Sequence, residues 1–299
     1  MDKNGSIEFM TEKLTAFMVY LSKKLPDSVE EKLRRMRETE TNELARSMFD
    51  SMLENQKMAL ELNRPCCQDT GLMQFWIRCG AAFPLLGELE GILRDAAVRT
   101  TAQAPLRPNC IETFDERNTG NNVGTGVPMI YWEIVPESDR CELDVYMAGG
   151  GCSLPGYAQV LMPGAGYEGI ARFVMDRVTS YGLNACPPLL IGVGIGANMD
   201  TAAMLSKKAL MRPLGTRNAN PKAAEMEERL EEAINAIGIG PQGISGISSI
   251  YGVHIENAAR HPATLAVGVS MGCWSHRCGH IIFEKDMNVA ITSHAGALL

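Results

Sequence analysis

No window of this 299-residue chain approaches the run of ~20 apolar residues that a membrane-crossing helix requires. Its opening stretch, MDKNGSIEFMTEKLTAFMVYLSKKLP, has no basic segment followed by a continuous apolar core, so it does not read as a secretory signal. Positive charge is also in short supply. There are 28 Lys and Arg against 35 Asp and Glu, a net charge of −7, and the cations are scattered rather than gathered into a stripe. A nucleic-acid binder carries a basic footprint, so that class is excluded. Internal repeats, low-complexity tracts and flexible linkers are missing as well. What these absences leave is a soluble cytoplasmic protein with neither a membrane nor a nucleic-acid partner. Small anionic substrates stay open, because a few local arginines can bind a carboxylate inside an acidic protein.

Cysteine, by contrast, is plentiful: nine residues, at 66, 67, 79, 110, 141, 152, 186, 273 and 278. A reducing cytosol disfavours a disulfide framework and makes metal binding or catalysis the sharper reading. For most of the nine, a small buried hydrophobe is the plain alternative. No two share a C-x-x-C spacing, which removes zinc-ribbon and thioredoxin-like motifs. A zinc site built from Cys273, His276, Cys278 and His280 survives only as a weak rival. Three thiols stand beside unusual chemistry: Cys67 before Gln68-Asp69-Thr70-Gly71, Cys186 before Pro187-Pro188, and Cys273 in GCWSHR. Each lies at the edge of a predicted element, where loops of one scaffold can converge. Three separated thiolates suit an iron–sulfur cluster in which one iron lacks a protein thiolate.

Periodicity predicts a helical segment over residues 1–64 and a mixed-sheet α/β (α+β) core over 65–299, read together as one domain. Ile7, Met10, Leu14, Phe17, Met18 and Leu21 recur at helical spacing until Pro26 stops the run. A second helix starts at Asp27-Ser28, and a third spans about 41–62, ending before Pro65. MQFWIRCG has strand character, LLGELEGILRDAAVRTTA is an amphipathic helix, and 106–126 is a long ordered loop. PMIYWEIV and CELDVYMA, separated by charged turn residues, read as a hairpin. Helices follow over YEGIARFVMDRV and near 199–210 and 221–237, with strands at LLIGVGIG, SIYGVHI, TLAVGVSMGCW and HIIFEKDM.

GVGIGA (192–197) does not match G-x-G-x-x-G, so close backbone packing outweighs a phosphate cradle. AGGGCSLPG (148–156) follows a strand, and its glycines would let backbone approach a ligand. GIGPQGISG (238–246) reads as a tight connection lining the same pocket. Arg107, between two prolines, is either a rigid carboxylate clamp or a solvated loop residue. His261 precedes a proline, which favours an extended backbone; acid–base duty and a structural hydrogen bond both suit it.

Taken together, CQDTG, GGGC followed by LMP, NACPPLLIGVGIG, IGPQG and HPATLAVGVSMGCWSHR resemble, in order, the blocks of the class I iron–sulfur hydro-lyases. That family comprises class I fumarases and two-subunit tartrate dehydratases, and the likeness runs from about residue 10 to the end. The fold it implies is that of the class I fumarase N-terminal domain. Within the family, MAGGGCSLPG, VLMP, ARHP and GCWSHR are most similar to the α subunits of the two-subunit branch.

The resemblance implies a 4Fe–4S cluster with one open iron, held by Cys67, Cys186 and Cys273, with Cys66 a packed neighbour. The open iron would act as a Lewis acid on the substrate's hydroxyl and a carboxylate oxygen. Gln68, Asp69, Arg107 and Gly150 match substrate-site positions, with Asp69 and His261 as catalytic residues in acid–base or orienting roles. CSLPG departs from the fumarase pattern, so only the backbone position Gly150 carries over there. Single-chain members have a second domain, so the resemblance implies a separate β subunit here, in a heterotetramer. The implied reaction is dehydration of a small dicarboxylate, L(+)-tartrate to oxaloacetate. The rivals are the same chemistry on malate and fumarate, or a non-catalytic scaffold; retention of the three thiols and Asp69 speaks against the scaffold.

Overall fold

A computed structural model describes residues 2–297 of the chain. In chain order the helices are α1 (Lys3–Leu21), α2 (Asp27–Thr39), α3 (Glu43–Glu61), α4 (Leu89–Gln103), the single-turn α5 (Gly150–Ser153), α6 (Gly166–Tyr181), α7 (Met199–Ala209) and α8 (Pro221–Ala236). The early strands are β1 (Leu72–Gly80), the two-residue β2 (Ile111–Glu112) and β3 (Arg117–Asn118), β4 (Met129–Val135) and β5 (Cys141–Ala148). Then come β6 (Tyr157–Leu161), β7 (Leu189–Gly196), β8 (Ile250–Asn257), β9 (Leu265–Gly272), β10 (Cys278–Phe283) and β11 (Val289–Ile291). The architecture is α/β with a helical start, as the periodicity predicts. No helix among the described residues is long and apolar enough to cross a membrane.

Contacts group the chain into two compact units. The first takes the chain through Asp27, then Asn55–Gly149, then everything from Arg277 onward; the second takes Ser28–Glu54 and Gly150–His276.

The first unit is built on a five-stranded sheet of order β11-β10-β5-β1-β4. One face carries the core. Alternate residues Phe75, Ile77 and Cys79 of β1 and Leu143 and Val145 of β5 pack with Leu14 and Phe17 of α1 and Leu93 and Ala97 of α4. Each large apolar side chain so buried contributes about 1.5–3 kcal/mol. The N-terminus of α1 is capped by Asp2, whose carboxylate accepts the Gly5 N–H at 2.8 Å.

The expected hairpin of β4 and β5 does not form. β1 lies between them, parallel to β4 and antiparallel to β5. The connection after β4 therefore crosses the end of β1, where Ala81 donates to the Val135 carbonyl at 2.9 Å and Ala82 to Ser138 at 3.1 Å. Gly80 makes this crossing possible, because a Cβ there would overlap the Ser138 carbonyl. A five-residue connection, one proline and four polar residues, fits a hairpin or a short crossing equally well, so local sequence does not tell the two apart.

The second unit carries a four-stranded sheet of order β6-β9-β7-β8, with β7 parallel to β8 and antiparallel to β9. Small residues in β7 let α7 lie directly on the sheet. A Cβ on Gly194 would overlap the Ala202 carbonyl and stand 2.5 Å from the Ser206 nitrogen, both on the helix backbone. The GVGIG run is thus a close-packed strand rather than a phosphate loop. At the end of α2, the buried carboxylate of Glu40 accepts the N–H groups of Thr41, Asn42 and Ile247. That ties the residue 28–54 segment to the loop before β8.

Candidate functional site

In the first unit, the connection from α3 to β1 is pinned at Cys66, whose N–H donates to the Ser22 carbonyl at 2.9 Å. Cys66 is buried, and Cys67 beside it is half-buried. Asp69 then folds back on its own chain: Oδ1 accepts the Gly71 N–H at 3.0 Å, an Asx-type turn. The same oxygen accepts Asn109 Nδ2 at 3.3 Å, and that amide also reaches the Gly71 carbonyl at 3.2 Å. The Thr70 hydroxyl accepts the Arg107 N–H at 3.0 Å. The LRPN segment is thereby laid along QDTG, and the Arg107 side chain stays exposed.

Arg277, 1% exposed, donates from Nη2 to the Asp69 carbonyl at 2.7 Å. Burial pushes the Cys67 thiol up, and the Arg277 charge works against it without reversing the direction. The far end of β5 closes on the same carboxylate, since a Cβ on Gly149 would stand 2.9 Å from Asp69 Oδ2.

In the second unit, Cys186 is exposed and left-handed (φ 58°, ψ 77°) at the end of a short turn over Gly182–Ala185. Its carbonyl accepts the Trp274 N–H at 3.0 Å, which brings the Cys186 segment alongside the Cys273–Trp274 segment. The Trp274 carbonyl accepts the hydroxyl of buried Tyr251 at 2.8 Å. Pro187, following Cys186, accepts both the main-chain N–H and the side-chain Nε2 of Gln242, each at 2.9 Å. Burial raises the Cys186 thiol, and the nearby Cys152 adds to the shift. Gly150 is the exposed first residue of α5. His261 lies exposed in the β8–β9 turn, its Nδ1 accepting the Ala263 N–H at 3.1 Å. Arg260 shapes that turn by donating to the carbonyls of His261 at 3.1 Å and Thr264 at 2.9 Å.

None of the nine cysteines is in a disulfide, and five of them, Cys66, Cys79, Cys110, Cys141 and Cys152, are buried. Cys67, Cys186 and Cys273 are among the four that are not; the other is Cys278, whose thiol burial drives well up. The zinc rival gains no support. Among the described residues, no group of three or more His, Cys, Asp or Glu could hold a metal ion. His276 Nε2 is committed to the Leu210 carbonyl at 2.9 Å, and His280 Nδ1 to Asp144 Oδ1 at 2.8 Å. A cluster makes a different demand, since each thiolate binds a different iron of the cube rather than one shared ion. Three unburied thiols outside disulfides have the donor chemistry such a group needs.

Four residues of these networks are not among the candidates that the sequence offers: Asn109, Gln242, Tyr251 and Arg277. Asn109 and Gln242 sit inside LRPN and IGPQG, and Arg277 closes GCWSHR, so their motifs carried a signal. Tyr251, in the apolar strand SIYGVHI, carried none.

The comparisons agree with these motifs. The family model described as "Fumarate hydratase (Fumerase)" matches residues 11–282. The L(+)-tartrate dehydratase subunit alpha of Escherichia coli (strain K12) is 49% identical over 298 residues, covering 100% of this chain and 98% of the relative. The protein of the same name from Shigella sonnei matches to the same extent. A putative L(+)-tartrate dehydratase subunit alpha of Methanocaldococcus jannaschii is 34% identical over 257 residues, 85% of this chain and 90% of the relative. This chain belongs to the fumarate hydratase (Fumerase) family.

Proposed function

We propose that this chain is the α subunit of a cytoplasmic hydro-lyase that converts L(+)-tartrate to oxaloacetate, together with a separate β subunit in a heterotetramer. The observation that carries the proposal is the 49% identity, over the whole chain, to L(+)-tartrate dehydratase subunit alpha. In the reaction a proton leaves the carbon beside one carboxylate and the hydroxyl leaves the neighbouring carbon as water. The enol that remains tautomerises to the ketone.

The cofactor of this reading is a 4Fe–4S cluster held by Cys67, Cys186 and Cys273. Its support is the family membership and the fact that these thiols are not sealed in the core. When bound, such a cluster with an open iron supplies a Lewis acid that makes hydroxide a tolerable leaving group. The chain's own residues would do the rest. Asp69, its Oδ1 fixed by Gly71 and Asn109, serves as a carboxylate held in one orientation for proton transfer. His261 accepts a backbone N–H at Nδ1, so its neutral ring carries the proton on Nε2 and is suited to donating there. The exposed Arg107 guanidinium offers two parallel N–H groups to a substrate carboxylate, and Gln68 and the Gly150 backbone complete the contacts.

The test is anaerobic reconstitution of the co-expressed α and β subunits with iron and sulfide, followed by turnover of L(+)-tartrate and of malate. Oxaloacetate formed preferentially from tartrate is the expected result. Preferential turnover of malate would move the chain to the fumarate hydratase branch, and turnover of neither would leave a scaffold.

A further inference from the structure

The loop between α8 and β8 holds an unusual residue. Gln242 is a non-glycine in the left-handed region (φ 53°, ψ 16°), a conformation that needs a compensating reason. The compensation is visible: its N–H and its Nε2 both donate to the Pro187 carbonyl, and two donors occupy both lone pairs of that oxygen. The loop is itself anchored. Glu40, with no exposed surface, accepts the Ile247 N–H at 3.1 Å, and Ser249 Oγ accepts the Gly240 N–H at 3.1 Å.

A second clamp sits one peptide away. The Trp274 N–H donates to the Cys186 carbonyl, and the Tyr251 hydroxyl, projecting from β8, holds the Trp274 carbonyl. The residue after Cys186 and the residue after Cys273 are therefore each gripped at the carbonyl by a side chain from a scaffold element.

We infer that Gln242 and Tyr251 are positioning residues for the thiols of Cys186 and Cys273. They fix the two backbone segments from which those thiols project, so that both stand ready before iron arrives. Neither residue need touch the cluster or the substrate. The inference rests on the proposed cluster, and its effect is of the kind that outer-shell partners exert on metal ligands.

The experiment uses the α/β complex reconstituted anaerobically, as wild type and as Gln242→Glu, Tyr251→Phe and Cys186→Ser. Gln242→Glu removes the amide donor, and Tyr251→Phe removes one hydroxyl while keeping the ring. Three readouts apply: the rate at which a ferrous chelator bleaches the cluster, the electron paramagnetic resonance spectrum of the reduced cluster, and the melting temperature of the cluster-free chain. Both positioning variants should lose iron about 10- to 100-fold faster, the range seen for outer-shell substitutions, and show an altered spectrum. Their cluster-free melting temperatures should fall by only about 2–4 °C, the scale of one lost hydrogen bond; a merely structural role would stop there and leave the bleaching rate and spectrum at wild type. If Gln242→Glu fails to fold, Tyr251→Phe decides alone. Wild-type bleaching rates and spectra in the folded positioning variants, with Cys186→Ser holding no cluster, would overturn the inference and leave the cluster reading intact. A wild-type cluster in Cys186→Ser would overturn the cluster reading itself.

Discussion

Gly149 and Asp69 meet so closely that a methyl group on the glycine would stand 2.9 Å from the carboxylate oxygen Oδ2. Asp69 is the flexible partner of that contact, so an alanine at 149 would turn its carboxylate away rather than unfold β5. Gly149→Ala in the α/β complex should lower kcat by about 100-fold or more, the scale of losing a positioned acid or base. The stability of the isolated chain, read by urea, should fall only by the Asp69 hydrogen bonds so lost, about 1–2 kcal/mol. A kcat near wild type would separate Asp69 from the chemistry.

Asn109 is a further restraint on Asp69, through one amide that serves both Oδ1 and the Gly71 carbonyl. Asn109→Ala removes both hydrogen bonds while leaving Arg107 in place. The expected cost is about 1–2 kcal/mol of stability by urea denaturation, the sum of two ordinary hydrogen bonds at a half-buried site. Because the QDTG turn loosens without losing its carboxylate, kcat should fall less than in Gly149→Ala. Equal losses in the two variants would mean that Asn109 has a direct role.

How far the sequence reached differs between elements, and the difference is physical. The third helix, expected over about 41–62, is Glu43–Glu61, because helical periodicity and the stop before Pro65 are local signals. β4 and β5 are just as legible as strands, yet their closeness in sequence suggests a pairing that does not form. Which strand pairs with which depends on β1, whose place between them is a tertiary fact. The same split runs through the candidate site residues. Cys67, Cys186, Cys273 and Asp69 stand out by their motifs, while Tyr251 acts through one hydroxyl on a carbonyl 23 residues away. No spacing rule reports a contact of that kind.

Gly194 turns the reading of GVGIG into a measurable claim. Its missing side chain is where the α7 backbone sits, with the Ser206 nitrogen 2.5 Å from the position a Cβ would take. Backbone cannot rotate aside as a flexible side chain can, so strand and helix would have to separate. Gly194→Ala should cost about 3 kcal/mol, the upper end of ordinary overpacking, or prevent folding altogether. Denaturant unfolding of the purified chain measures this. A stability within 1 kcal/mol of wild type, the lower end of overpacking costs, would show that α7 does not rest on this strand.

His254 supplies a pH dependence whose sign can be worked out. Its imidazole is 1% exposed on β8, with Nδ1 3.1 Å from the Ala209 carbonyl. Burial foremost, and then the Arg212 charge, pull its pKa down to about 3, while the Ala209 carbonyl acts weakly in the other direction. In the unfolded chain the same ring titrates near the ordinary value of about 6.5. Below that value the unfolded state binds a proton that the folded state refuses, so stability falls as pH drops from about 6.5 toward about 3. Full uptake of one proton corresponds to about 1.4 kcal/mol per pH unit. His294, also lowered by burial, adds to the same loss. His280 does not: its pKa is raised, chiefly by the Asp144 hydrogen bond, so below about 6.5 it is charged in both states. Carboxylates enter mainly below about pH 5. Between about pH 5 and 6.5, then, His254 and His294 both steepen the slope of unfolding free energy. His254→Asn should flatten that slope by up to one proton's worth while leaving His294's share, and urea titrations at several pH values would read it. An unchanged slope would mean that His254 is already protonated in the folded chain.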